Sequence, residues 1–402
     1  MNKLFSDPNT LAGKLKKSLL FFNVFTMIEI LIVITITFII LNLSMPALKD
    51  ARDRARFTRW YAFNKVCSRD PDCVLNYDMQ EGLKKGFKTK PSGTKAPQGD
   101  YLATTTEGGD VNNKRYDARA YNAYFMKNAA TPTEASNVYW VPGRWPKWKS
   151  GILLNGSDAY VEVRTRDALS FGNDNSDAEE ADFTVLCWVK MLRFQSGGLL
   201  FAKTLWQDVA MNTSTSPATV MSTADTEFDM YCTNTTSNGL SGNMDVDVGT
   251  KCVTFKTAGL FKVGTSGDWV HIALRCKGGS GSIVSTLCTI NANCYTYDAV
   301  QGKYVYQGYK SVQVYLPRRQ TQGVIDFFLN GKPVDADPSP WSTGAQKSSA
   351  ETNVILGWQG KKPDASYSMS GWFANVIMDE FIVYKRALSD SEIKGHYTMG
   401  KP

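Results

Sequence analysis

The feature that most constrains this chain is an apolar run near its N-terminus that contains one carboxylate. The run extends from Phe25 to Pro46, and Glu29 is its only ionisable side chain. A carboxylate at that depth in lipid costs roughly 2.5–3.5 kcal/mol on insertion scales, so some group must satisfy it. In a protein with one span we expect that group on another chain. The run is therefore predicted to act as an assembly device as well as an anchor.

The stretch FTMIEILIVITITFIILNLSMPALKDARDRAR resembles the N-terminus of type IV pilins and pseudopilins. In that family a Phe opens the mature chain, a nearby Glu pairs with the N-terminal amine of a neighbouring subunit, and a later Pro kinks the helix. Phe25, Glu29 and Pro46 occupy the matching positions. The resemblance implies cleavage between Val24 and Phe25, and assembly through Glu29 and Pro46 with other pilin-like subunits.

One departure from the family pattern leaves an alternative open. The leader peptidase of the family usually cuts after a small residue, whereas Val24 precedes Phe25 here. We assign residues 1–24 to a leader-like segment and residues 25–66 to the transmembrane and assembly helix. If the leader stays attached, the chain is a membrane-tethered scaffold or binding protein that does not polymerise.

Lysine and arginine occur on both sides of the apolar run, so the positive-inside rule does not orient it. Insertion as in pilins, together with eight cysteines in the body, favours an extracytoplasmic C-terminal domain. We expect a single-pass protein of the bacterial inner membrane, in contact with lipid, or a subunit of a cell-surface or extracellular filament.

The cysteine count is even, which in an exported domain indicates disulfides. Three pairings close short or moderate loops, but the sequence does not fix the connectivity. They are Cys67–Cys73, Cys232–Cys252 and Cys288–Cys294. Cys187 and Cys276 lie in apolar runs and are expected to be buried thiols or a bridge between strands.

After Asp70-Pro71-Asp72 the sequence changes to short β-type runs separated by turn residues, which is typical of a β-sandwich. FTVLCWVK and WVHIALRC alternate apolar residues on one face. VIDFFLNGKPV contains Asn330-Gly331, a strong hairpin signal. Ser389 and Glu392 form a capping box that predicts a short helix after the last strand.

The order LNGSDAYVEV, FTVLCWVK, WVHIALRC, FFLNGKPV and MDEFIVYKRALSDSEI resembles a laminin-G-like, concanavalin A-like jelly roll. The resemblance covers residues 72–400. It implies a mainly β fold in which a long N-terminal helix precedes an antiparallel sandwich. Residues 205–265 and 277–317 exceed the core of that family, and we predict that they are loop insertions.

Catalysis is not expected, so no catalytic residue is assigned. A retaining glucanase needs two carboxylates about 5–5.5 Å apart. The nearest pattern contains Glu227 and Asp229 but has Cys232 where a second Glu would be expected. Asp379 and Glu380 are adjacent and so point to opposite faces of a strand. An anchored glycan hydrolase is the least favoured alternative.

Binding is the favoured role of the body. Sugars stack on exposed aromatic rings, and Trp140, Trp145 and Trp148 fall in a segment rich in Pro, Gly and Lys that either forms an exposed platform or packs under its own loop. Calcium is a common cofactor of laminin-G-like modules, and its candidate ligands are Asp158, Asn173, Asp174 and Asp182. No motif fixes a metal site.

The net charge of +7 is scattered, and no nucleic-acid motif is visible, so nucleic acid is excluded as a partner. The sequence thus predicts a pilin-like or pseudopilin-like envelope subunit. It would display a jelly roll that binds a glycan or a surface protein, in adhesion or secretion.

Overall fold

The computed structural model describes thirteen stretches of the chain. They are residues 27–80, 94–95, 101–102, 123–127, 138–163, 182–205, 210–222, 225–248, 251–321, 323–334, 339–341, 354–358 and 373–402. Val24 and Phe25 lie outside them, so the predicted cleavage site has no structural description. The chain divides into two compact units, Met1–Ala55 and Arg56–Pro402. The division falls before the boundary at Asp70–Asp72 that the sequence predicts.

Helix α1 (Met27–Cys67) contains Glu29 in its first turn and Pro46 in its interior. Within the described residues, it is the helix that is long and apolar enough to cross a membrane, by length and composition. A signal sequence near an N-terminus shares those properties. None of the most apolar stretch is buried in the protein. The last turns of α1, from Arg56 onwards, belong to the second unit.

The second unit is mainly β. Its elements in chain order are β1 (Cys73–Tyr77), β2 (Thr94–Lys95), β3 (Tyr101–Leu102), β4 (Ala123–Lys127), β5 (Tyr139–Pro142), β6 (Ser150–Asn155), β7 (Ala159–Val163), β8 (Phe183–Arg193), β9 (Leu199–Leu205), β10 (Ala210–Asn212), β11 (Thr219–Ser222), β12 (Asp225–Thr233), β13 (Asn243–Val248), β14 (Lys251–Phe255), β15 (Val270–Lys277), β16 (Ser280–Asp298), β17 (Lys303–Thr321), β18 (Gly323–Leu329), β19 (Lys332–Pro333), β20 (Ser339–Trp341), β21 (Val354–Leu356), β22 (Asn375–Tyr384) and helix α2 (Asp390–Gly400).

These strands form three sheets. Sheet A has the order β19-β18-β15-β8-β22-β6-β5-β2, with β1 beside β22 and β20 beside β18. Sheet B has the order β14-β13-β12-β9-β21-β7-β4-β3, and sheet C the order β11-β10-β16-β17. The pairings are antiparallel except between β10 and β16.

Sheets A and B pack face to face as a sandwich, because alternate residues of each strand are apolar. In β8, Phe183, Val185, Cys187 and Val189 all face the common core, as the sequence predicts. Rings from the two sheets meet there. The centroid of Phe183 lies 5.3 Å from that of Phe228, and Phe201 lies 5.7 Å from Phe381.

The local signals at the C-terminal end are also confirmed. Asn330 and Gly331 both have positive φ, at 54° and 71°, as the tight turn between β18 and β19 requires. The Ser389 side chain accepts from the backbone of Glu392, and the Glu392 carboxylate accepts in return from the backbone of Ser389, which completes the capping box of α2.

The two predicted loop insertions are strands instead. Residues 225–255 supply β12, β13 and β14, which extend sheet B to one edge. Residues 280–321 form a hairpin of two 19-residue strands, β16 and β17, which makes most of sheet C. Their Thr, Ser and Asn residues are tolerated because long antiparallel strands can keep one face in water.

Candidate functional site

The tryptophan segment is not an exposed platform. The side chains of Trp140 and Trp145 are 0% and 1% exposed, because β5 pairs with β6 inside sheet A and Trp145 packs 5.6 Å from Trp60. Trp148 is half-buried, and its ring stacks on Phe57 at 6.5 Å. The exposed alternative for these residues was wrong, and the packed alternative is what the structure has.

What surrounds the buried tryptophans is a cluster of charged side chains centred on Glu380, in β22. The Glu380 carboxylate accepts from the Trp60 indole at 3.2 Å, from the Asn64 amide at 2.9 Å and from the Arg144 guanidinium at 2.5 Å. Its neighbour Asp379 accepts from the backbone N–H of Arg144 at 2.7 Å. The two carboxylates thus meet one arginine from a loop that follows β5, and the expectation that they point to opposite faces was wrong because the strand is irregular between Met378 and Glu380.

Lys149 completes this cluster, and all its ionisable groups are buried. The Lys149 ammonium lies 3.9 Å from Asp379 and 4.0 Å from the Trp60 ring centroid. Burial raises the pKa of Asp379, against the pull of Arg144 and Lys149. Burial also acts on Glu380, but Arg144 and Lys149 outweigh it and hold the pKa of Glu380 below its ordinary value.

This geometry assigns the adjacent pair Asp379 and Glu380 to structure. Both carboxylates are occupied by protein donors and closed to solvent, with Glu380 4% exposed. A glycosidase needs two carboxylates that reach a sugar bond from a cleft. The cluster instead joins the last turns of α1 to the outer face of sheet A, through Trp60 and Asn64.

A second pair of acidic residues is formed by Asp229 and Asp245, of which the sequence pattern contained only Asp229. Asp229 of β12 and Asp245 of β13 lie on one face of sheet B, because Asp229 pairs with Asp247 and Asp245 with Tyr231. Both side chains are buried, and burial raises the pKa of Asp245. The sequence pattern found Asp229 alone, since its neighbour comes from the next strand.

The two histidines do not activate a nucleophile. His271 lies buried in β15, and burial lowers its pKa well below the ordinary value. His396 of α2 lies 3.9 Å from the Cys67 sulfur and 3.2 Å from the Tyr384 hydroxyl. Burial lowers the pKa of His396 to about 4 and raises that of Cys67 to about 12. Both groups are neutral at physiological pH, which is unsuited to a thiolate nucleophile.

The three predicted disulfides are absent from the structure. Cys67, Cys73, Cys232 and Cys294 are buried free thiols, and each predicted pair includes at least one of them. Cys187 and Cys276 are also buried free thiols, which is one of the two alternatives expected for them. Burial in apolar surroundings stabilises these side chains as small hydrophobic groups.

Calcium stays a prediction. Asp158 accepts from the Asn155 amide at 2.7 Å inside a turn, and Asp182 accepts from the backbone of Gly278 at 2.7 Å. Asn173 and Asp174 lie outside the described residues. Among the residues that are described, no three acidic, histidine or cysteine side chains are grouped for a metal ion.

Among the strands that the structure describes, the exposed aromatic residues lie on the β16–β17 hairpin. Tyr295 pairs directly with Tyr306, and Tyr297 pairs with Tyr304, with ring centroids 5.3 Å and 5.2 Å apart. Directly paired residues share a face of the sheet, so the four rings form one block beside the hairpin tip. Tyr306 is 54% exposed.

The same face continues along both strands. Every second residue from the tyrosine block lies on this face, with one extra residue skipped at the bulge near Gly308. We call this set of residues the tyrosine face. Its described members are Leu287, Thr289, Tyr295, Tyr297, Tyr304, Tyr306, Ser311, Gln313 and Tyr315.

Charged side chains occupy the other face of this hairpin. Asp298 and Lys303 pair with each other next to the tyrosine block, and Lys310 pairs with Ala292, so alternation places all three opposite the tyrosines. The middle of that opposite face is buried at Cys294 and Val314. The tyrosine face is thus uncharged across its described members.

The sequence analysis missed this surface. The available signal was the pattern Tyr295-x-Tyr297 and Tyr304-x-Tyr306 around a Gly-containing turn, which puts both pairs on one face of a hairpin. This pattern was not used because residues 277–317 were predicted to be a loop insertion.

Comparison with known proteins gives no family assignment: no family model matches the chain, and no curated protein matches it. Among solved structures, domain 4 of a GH43 extracellular arabinanase from Geobacillus stearothermophilus, in complex with arabinotriose, aligns at 11% identity and a TM-score of 0.39. The alignment covers 81% of this chain and 98% of that one.

The binding domain of botulinum neurotoxin serotype D/C aligns at 12% identity and a TM-score of 0.35 over 81% of this chain. The chain spans about half of that domain, 52%. The binding domain of Paraclostridial Mosquitocidal Protein 1 aligns at 13% identity and a TM-score of 0.35, over 77% of this chain and 52% of that one. These similarities are too low to carry an argument about ligand or activity.

Proposed function

We propose that the chain is a pilin-like subunit of the bacterial envelope that displays a glycan-binding β-sandwich outside the cytoplasmic membrane. Apolar α1 anchors it and assembles with other such helices, and the sandwich binds a ligand in adhesion or secretion. The role is binding rather than hydrolysis, in keeping with the occupied carboxylates of Asp379 and Glu380.

The observation that carries the proposal is the exposed apolar surface of α1. Its side chains from Met27 to Leu48 are exposed apart from Ser44 and contact no core of their own; Ile34, for instance, is 62% exposed. An apolar surface this large needs lipid or other helices to cover it. In the same helix, Trp60 and Asn64 belong to the sandwich, so the apolar segment and the binding domain share one element.

Glu29 selects assembly over simple anchoring. A carboxylate inside an apolar span is costly unless it is paired, and such residues mark functional contacts. The pilin-like pattern places it where an amine of a neighbouring subunit would be bound.

The test is the replacement of Glu29 with Gln or Leu in the native host. We expect membrane insertion to persist and assembly to be lost, measured as chain recovered in sheared surface material or in high-mass detergent complexes. Thr35→Val is the matched control, because the Thr35 hydroxyl donates only to the Leu31 carbonyl within the helix. Assembly unchanged in both Glu29 variants would contradict the pilin-like role.

A second candidate, a tethered protein that does not polymerise, is favoured by Val24. The N-terminal mass of the wild-type chain from native membranes distinguishes the two. A chain that starts at Phe25 supports the pilin-like subunit, whereas an intact leader supports the tethered protein.

A further inference from the structure

We propose that the tyrosine face of the β16–β17 hairpin is the ligand site and that it takes a single, uncharged glycan chain laid along the strands. This inference rests on the proposed binding role and gives its site and ligand class.

The rings supply the stacking surface. Tyr297, Tyr304 and Tyr306 are between 45% and 54% exposed, so each offers a ring face to solvent although it packs against a cross-strand neighbour. Those neighbours hold the rings in place, and tyrosine has only two side-chain torsions to restrict. Binding therefore costs little conformational entropy.

The polarity of the face fits a polyhydroxylated, neutral ligand. Phenol hydroxyls, the Gln313 amide and the hydroxyls of Thr289 and Ser311 can donate and accept hydrogen bonds. Lys303 and Lys310 lie on the opposite face. An anionic polymer such as nucleic acid would need cations beside the rings, and the described members of the face provide none.

The dimensions favour a chain over a compact ligand. From Leu287 to Tyr297 the face is ten residues long, or roughly 33 Å at the rise of a β-strand. Its described members are exposed at both ends of that length, apart from half-buried Tyr295, so several sugar units can contact it at once. Tyr315 and Leu287, a directly paired couple, continue the exposed surface at the far end from the block.

The same dimensions argue against a protein partner. The two strands of the hairpin, about 4.8 Å apart, give the tyrosine face a width of roughly 10 Å, hence roughly 330 Å² in plan, and the three residues of β10 beside Asn293–Tyr295 widen it at one end only. A stable protein interface buries about 800 Å² on each partner. The face is too small for that, but it matches the footprint of one extended oligosaccharide.

The experiment measures binding of the full chain, in detergent micelles, to soluble neutral polysaccharides by affinity electrophoresis and biolayer interferometry. The probes are arabinan, β-1,3-glucan, mannan and galactan. We expect at least one to bind, and Tyr306→Ala and Tyr297→Ala each to weaken that binding by roughly tenfold, as loss of one stacked ring implies. Tyr306→Phe keeps the ring and should lose less.

Lys310→Ala is the matched control, since it changes an exposed residue of the same hairpin on the opposite face. Equal affinity of wild type and both alanine variants would overturn the site. Failure of all four probes to bind would overturn the ligand class. So would the finding that a surface protein binds the wild type and that this binding is lost in Tyr306→Ala.

These outcomes are separable from those of the Glu29 variants. Glycan binding by the dispersed chain does not require assembly, and assembly through α1 does not require the hairpin. Loss of assembly in the Glu29 variants therefore says nothing about the tyrosine face, and unchanged affinity in the tyrosine variants leaves the assembly role of α1 standing.

Discussion

Glu380 holds the last turns of α1, which belong to the second unit, against sheet A. Its carboxylate offsets the charge of Arg144, whose side chain is almost fully buried, and accepts from both Trp60 and Asn64 of α1. A buried pair contributes little compared with apolar packing, but breaking it by removing one partner is costly, because the remaining charge stays in an apolar environment.

We predict that Glu380→Gln lowers the free energy of unfolding by about 3–5 kcal/mol. Glu392→Gln makes the same chemical change at a half-exposed carboxylate that pairs with Arg386 at 2.7 Å, and should cost less than about 1 kcal/mol. Urea denaturation of the full chain in detergent measures both. Equal effects would contradict the central role of Glu380.

At the scale of elements, the β18–β19 turn also serves as a packing surface for α2. A Cβ at Gly331 would lie 3.1 Å from the Cβ of Tyr397 and 3.2 Å from the Cα of Lys394. The turn therefore needs Gly331 both for its backbone conformation, with φ at 71°, and for the close approach of the helix.

Gly331→Ala is expected to destabilise the protein by about 2–5 kcal/mol, the sum of a positive-φ cost and overpacking. Gly302→Ala isolates the first term, because Gly302 has φ of 62° and nothing within 4 Å of an added Cβ. It should cost about 1–2 kcal/mol. Thermal unfolding of both variants checks the difference, and a larger loss in Gly302→Ala would be inconsistent with the packing of α2 on the turn.

At the scale of the whole molecule, stability should depend on pH through the two histidines, which are the only ones in the chain and are both buried. His396 faces the Tyr384 hydroxyl and the Cys67 thiol, with Glu380, Glu392, Asp70 and Arg386 acting on it electrostatically. Burial lowers its pKa to about 4 from 6.5. The unfolded chain therefore binds more protons between those values.

We predict that the wild type loses stability as the pH falls from 6.5 to 4, relative to His396→Gln, by roughly 3 kcal/mol. Above pH 6.5 the difference between the two should be constant. Denaturant midpoints of both proteins across that range provide the measurement. A difference that does not vary with pH would show that His396 is accessible to protons in the folded state.

Local signals in this sequence predicted local structure well. The alternation in β8, the Asn330-Gly331 turn and the Ser389 capping box are each set by a few neighbouring residues, so the fold class and the C-terminal elements followed from them. The burial of Trp140 could not be read in this way, because a segment rich in Pro and Gly looks the same in sequence whether it is exposed or packed.

The site was harder to predict because its residues meet through strand pairing. Tyr297 and Tyr304 become neighbours only if β16 and β17 pair in the observed register. Similarly, Glu380 meets Asn64 across 316 positions of sequence. Such contacts depend on topology, which composition and short periodicities do not encode.

The free thiols described above have a consequence for how the protein is made. Because Cys67, Cys73, Cys187, Cys232, Cys276 and Cys294 are buried as free thiols, these six positions need neither an oxidase nor an isomerase to reach the folded state that the structure describes. Their packing is therefore compatible with a reducing compartment as well as with an oxidising one.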